Sequence, residues 1–127
     1  MRAGRTSLRI DLAKRLFDAH RACSKITAIT RGMVYADYVA DEVRRLAVER
    51  LLEIVGEALT VALRIDSDIE DQYPDLRRAV GLRNRIIHGY DDFNDVVIWD
   101  VVQTNIPPLL GALADLLDEA TEADAQR

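Results

Sequence analysis

An all-α domain is what this sequence predicts, on three observations. Apolar residues recur at three- and four-residue steps nearly from end to end. Hydrophobic residues make up 49% of the chain but aromatics only 6%, a Leu/Ile/Val/Ala-rich make-up that suits helices better than a sandwich or barrel. Short polar or Pro/Gly-bearing stretches break the pattern into a few long segments. At 127 residues the chain fits one domain with its own core. The expected architecture is therefore an antiparallel bundle of four main helices in a single domain, residues 1–127.

The first helix should run from Ser7 to about Ile29. Leu12, Leu16, Ala19, Cys23 and Ile26 line one face, and Ile10, Phe17 and Ala28 make a second apolar line. Gly32 is placed to end it. Met33–Ala40 reads as a connector or a short turn of helix, with Tyr35 and Tyr38 as packing groups. The second helix should start at Asp41, a capping residue, and reach about Arg64. Its apolar residues, from Val43 to Leu63, spread over about 200° at about 100° per residue. An arc that wide fits either a central helix covered by the others or a helix that gives part of itself to a subunit interface. Gly56 in mid-helix costs roughly 1 kcal/mol relative to alanine and marks a close helix approach.

The third helix begins at Pro74, with proline suited to a first turn, and ends near His88-Gly89. Asp91–Asp95 is a polar turn with caps for a fourth helix bearing Val96, Val97, Ile98, Trp99, Val101 and Val102. Pro107-Pro108 should kink that helix or split it in two. Leu109, Leu110, Leu113, Leu116 and Leu117 complete it, and 121–127 reads as a frayed tail.

Composition excludes several function classes. Net charge is −5, so this is no generic basic nucleic-acid binder, whose affinity would come from many lysines and arginines. Any RNA contact must be local, and Arg77, Arg78, Arg83, Arg85 and His88 form a basic island that permits one. Cys23 is the only cysteine, so no intramolecular disulfide is possible, and a reducing, cytoplasmic home is expected. No cofactor motif is evident, and the acidic residues lack metal-ligand spacing. No apolar run approaches the roughly 20 residues needed to span a bilayer.

The chemistry lies in Arg83-Asn84-Arg85-Ile86-Ile87-His88-Gly89-Tyr90. Arginine can hold a phosphate through a planar fork of donors, and histidine moves a proton near neutral pH. On a projection at about 100° per residue, Arg83 falls inside the apolar arc and about 140° from His88. One helix alone does not put them on one face; a two-fold axis beside it would bring two copies of the motif together. Taken singly, Arg83 also fits a buried ion pair with Glu53 or Glu57, and His88 fits a histidine favoured at a helix C-terminus.

The octapeptide's Arg-x4-His-x-Tyr pattern resembles the signature of the HepT-like toxins of the HEPN superfamily. Glu49–Ala58, Tyr73-Pro74, Gly81–Asn84, Val97–Trp99 and Ile106-Pro107 resemble the flanking blocks of that family, so the likeness covers roughly residues 8–120 in order. The resemblance implies a homodimeric, metal-independent endoribonuclease, the toxin of a type VII-like toxin–antitoxin pair. Arg83 would hold the scissile phosphate and His88 act as general acid or base in a cleft between protomers, with Asn84 as a supporting donor. It implies further that a cognate MNT-type nucleotidyltransferase antitoxin silences the toxin by AMPylating Tyr90. The RNA substrate could be tRNA or mRNA. The rival reading is a non-catalytic helical dimer that binds nucleotide or protein, with Arg83 in a structural ion pair.

Overall fold

The computed structural model describes the backbone of residues 2–88 and 95–125, and the side chains of 8–82 and 95–121. The described residues form seven helices and no strands. The main ones are α1 (Arg2–Thr30), α3 (Glu42–Ile65), α5 (Pro74–His88), and the pair α6 (Asp95–Thr104) and α7 (Ile106–Ala125); α2 (Tyr35–Ala40) and α4 (Ile69–Gln72) are short. The expected all-α bundle is what the chain forms.

Local chemistry sets the boundaries. α1 stops where Gly32 takes φ +76°, a conformation that costs glycine no Cβ clash. The backbone N–H of Val34 then donates to Asp37 Oδ2 at 3.0 Å, which starts α2 in the stretch expected to be a connector. Asp41 caps α3, its Oδ1 accepting from the Arg44 N–H at 3.0 Å. Pro74 opens α5 as expected.

The predicted break near Pro107-Pro108 is present, but it falls one turn earlier. α6 ends at Thr104, and α6 and α7 meet at a 44° bend. Prolines in the first turn of α7 give up N–H groups that would have no helical partner there. The Leu109 N–H resumes the ladder, donating to Asn105 O at 3.2 Å. α7 then runs through Ala125, past the point where the sequence suggests fraying.

α1 and α3 run antiparallel, as do α5 and α7. Arg44 Nε donates to Ile29 O at 3.0 Å, joining the end of α1 to the start of α3. The Tyr73 hydroxyl donates to Glu119 Oε1 at 2.9 Å, joining the start of α5 to the last turns of α7. α3 packs against α1 on one side and α5 on another, with α7 closing over both neighbours. Leu16, Ala19, Cys23 and Ile26 of α1 meet Val48, Leu52, Val55, Leu59 and Ala62 of α3 and Ile98, Leu109 and Leu113 of α6 and α7 in one core. No single described helix is long and apolar enough to cross a membrane.

The wide apolar arc of α3 is only partly covered. Gly56 and Ala58 are buried, but Val43 at the edge of the arc is 78% exposed, and Leu46, on the side that carries the glutamates, is 57% exposed. α1's second apolar line is also uncovered, with Ile10 63% and Phe17 53% exposed. Tyr38 is fully buried, whereas Tyr35 stays 39% exposed.

Candidate active site

α5 carries the motif to its last residue. Arg83, Asn84 and His88 all lie on its helical backbone, so Arg83 and His88 stand about 7.5 Å apart along the axis and about 140° around it. Leu76 is fully buried and Ala79 nearly so, while Arg77, Arg78 and Gly81 are exposed. Arg83 therefore stands in register with the buried Leu76 and Ala79, and His88 with the exposed Arg77 and Gly81. The side chains of Arg83, Asn84 and His88 lie outside the described residues, as does all of Tyr90. The ion-pair reading of Arg83 rests on the same side chain; of its candidate partners, Glu53 is engaged by Arg50 at 3.2 Å.

At the start of α6 sits a polar cluster that the sequence did not reveal. Arg45 of α3 pairs with Asp95, the first residue of α6, at 3.4 Å. Both are partly buried, so the pair outweighs a fully solvated surface bridge. Glu49, one turn along α3, has its carboxyl pushed above the ordinary glutamate value, mainly by burial and then by the charge of Asp95, with Arg45 opposing. Burial also pushes the Tyr38 phenol up, helped by Asp95 and Glu49. Among the described residues its hydroxyl has no hydrogen-bond partner, and its ring lies 5.2 Å from that of Trp99. The signal was the four-residue step from Arg45 to Glu49, but pairing with Asp95 spans 50 positions and only the fold reveals it.

This cluster ties α2, α3 and α6 together where the chain leaves α5 and re-enters the bundle. A small cavity of about 20 Å³ lies between α3, α5, α6 and α7, lined by Leu52, Val55, Ala79, Leu82, Val101 and Leu109 among others. Among the described residues, no three His, Cys, Asp or Glu side chains gather in a metal-binding group.

An all-α bundle whose third main helix ends in a basic, histidine-bearing motif defines the class. A family model described as "Ribonuclease HepT-like" matches residues 19–116. The chain belongs to the HepT-like ribonuclease family of the HEPN superfamily. Among its relatives is the "Probable ribonuclease HepT" of Thermococcus cleftensis, 32% identical over 103 residues, 80% of this chain and 91% of that protein. A protein of Methanocaldococcus jannaschii, named as a candidate RNase, is 29% identical over 101 residues, 78% of this chain and 90% of its own length. Another so named, from Caldanaerobacter subterraneus, is 28% identical over 97 residues, 76% of this chain and 86% of that one. No solved structure gives a significant match. Ribonuclease activity is thus supported at the level of the family.

Proposed function

We propose that this chain is the toxin of a type VII-like toxin–antitoxin pair, a metal-independent endoribonuclease whose Arg83 and His88 work in a cleft between two protomers. The observation that carries the reading is Arg83 and His88 on one helix, α5, inside the span matched by the ribonuclease family. Arg83 neutralises the non-bridging oxygens of the scissile phosphate, which suits charge building on phosphorus. His88 takes the proton from the ribose 2′-hydroxyl, and the 2′-oxygen attacks phosphorus as the bond to the 5′-oxygen breaks. The proton returns to that leaving oxygen. The products are a 2′,3′-cyclic phosphate and a 5′-hydroxyl end, and the proton shuttle contributes roughly 10²–10⁴-fold. Asn84 supports as a hydrogen-bond donor.

Dimerisation has a surface to use. Val43 and Leu46 of α3 and Val96 of α6 are all more than half exposed, and Val96 follows the Asp95 that pairs with Arg45. Exposed apolar side chains on α3 and α6 fit contact with a second copy of the chain. Tyr90 is the acceptor for AMP from a cognate MNT-type nucleotidyltransferase; the added phosphate would compete for Arg83 and fill the cleft. Two measurements test this. Mixing Arg83→Ala with His88→Ala chains gives dimers that keep part of the cleavage activity if both protomers line the cleft; dimers without any activity contradict a shared cleft. Co-expression with the nucleotidyltransferase adds an AMP-sized mass to Tyr90; an unmodified Tyr90 removes that part.

A further inference from the structure

The largest excess of positive charge on any helix lies away from α5. α1 carries seven arginines and lysines against two aspartates, a net +5 in a chain of net charge −5. The rest of the chain therefore carries −10. Arg44, Arg45, Arg50 and Arg78, all outside α1, pair with Asp41, Asp95, Glu53 and Asp75.

Three of these charges share one face. At about 100° per residue, Ile10, Lys14, Phe17, Arg21, Lys25 and Ala28 fall within an arc of about 80°. Lys14, Arg21 and Lys25 are exposed, and Phe17 between them is 53% exposed. Arg15, Arg21 and Lys25 also line an open groove of about 350 Å³ between α1 and α3, with Asp18 and Glu57 as its acidic residues. From Lys14 to Lys25 the stripe is about 17 Å long. α3 separates it from the motif helix: Leu51, Ile54 and Ala58 line the α1 groove, whereas Leu52 and Val55 share a cavity with α5.

We propose that this face of α1 is a docking surface for single-stranded RNA, an extension of the substrate footprint beyond the α5 centre. It rests on the ribonuclease reading. Cations spaced along a stripe track a phosphate backbone, and an exposed phenyl ring between them offers a stacking platform for a base. An acidic protein would use the charges but has no need of Phe17 as a stacking face, and a second copy of this acidic chain has no exposed row of bases to offer it.

The test uses the full-length protein and a fluorescent 2′-O-methyl oligoribonucleotide, which binds but cannot be cut, titrated across a salt series. The Lys14→Gln/Arg21→Gln/Lys25→Gln triple variant is expected to weaken binding tenfold or more and to lower the salt slope by about 2, since each single-strand phosphate contact contributes about 0.7. Phe17→Ala is expected to weaken binding about tenfold with the salt slope unchanged, as loss of one stacked base would. Circular dichroism checks that the variants fold. Affinity unchanged in the triple variant overturns the proposal, as does wild-type protein that does not bind. A polyglutamate peptide that displaces the RNA equally well, with Phe17→Ala silent, overturns it in favour of an acidic protein partner. Cleavage of a dinucleotide too short to reach α1 is read in parallel. Wild type that binds through the stripe but cuts nothing sinks the ribonuclease reading and leaves the stripe standing.

Discussion

At the residue scale, burial decides what individual groups can do. Cys23 is fully buried, and burial pushes its thiol up to about 12. The thiolate is the reactive form, so alkylation at pH 8 is expected to be very slow in the native protein and fast in denaturant; rapid native labelling would contradict the packing of α1. Glu49 makes a second prediction. Its raised pKa, from burial and Asp95 against the opposing Arg45, with Glu53 adding to the repulsion, means that the folded protein holds this proton more tightly than the unfolded chain. The associated stability is present below the unfolded value of about 4.5 and is lost as pH rises through the raised folded value. Glu49→Gln mimics the protonated form, so it should raise the melting temperature at pH 7 and flatten the acid limb of the stability profile. A variant less stable than wild type at pH 7 would mean the carboxylate is needed as Arg45's counter-charge.

At the element scale, the sequence was most legible where a single residue sets a boundary. Asp41, Pro74 and Gly32 mark helix ends by capping, by a missing N–H and by a positive φ, and the structure uses each as expected. The break before α7 was placed one turn late because proline is tolerated in a first turn, so it marks the start of the new helix rather than the end of the old. The one-turn α4 went unseen, since four residues are too few for periodicity to register. Helical spacing also made α1's second apolar line visible but could not say that Ile10 and Phe17 remain uncovered. Two expectations follow for the elements. Leu59 is fully buried at the centre of α3, so Leu59→Ala should cost about 2–5 kcal/mol in denaturant unfolding; a loss under about 1 kcal/mol would mean the core is looser than the packing implies. Asp41 holds its carboxyl below the ordinary aspartate value, chiefly through the Arg44 backbone N–H. That contribution is present above the unfolded value of about 3.8 and lost as pH falls, so Asp41→Ala should lower the melting temperature at pH 7 and make no difference at pH 2.

At the scale of the whole molecule, fold class and family were readable because periodicity and a linear motif both live in the chain order. The Arg45–Asp95 pair and the separation of α1 from α5 were not, because they arise only when distant segments meet. Val43, at the edge of α3's wide arc, and Leu46, outside it, are both exposed, and under the dimer proposal they meet a second copy of the chain. Val43→Asp/Leu46→Asp should leave helicity unchanged, convert the protein to a monomer by light scattering and abolish RNA cleavage. A dimer that survives these charges would place the interface elsewhere. The most direct test of the ribonuclease centre is to incubate RNA with purified wild type, Arg83→Ala and His88→Ala in a chelator and to analyse the new ends by mass spectrometry. The account predicts 2′,3′-cyclic phosphates from wild type and at least a hundredfold fewer from either variant. Equal cleavage by all three, or none by wild-type dimer, would contradict it.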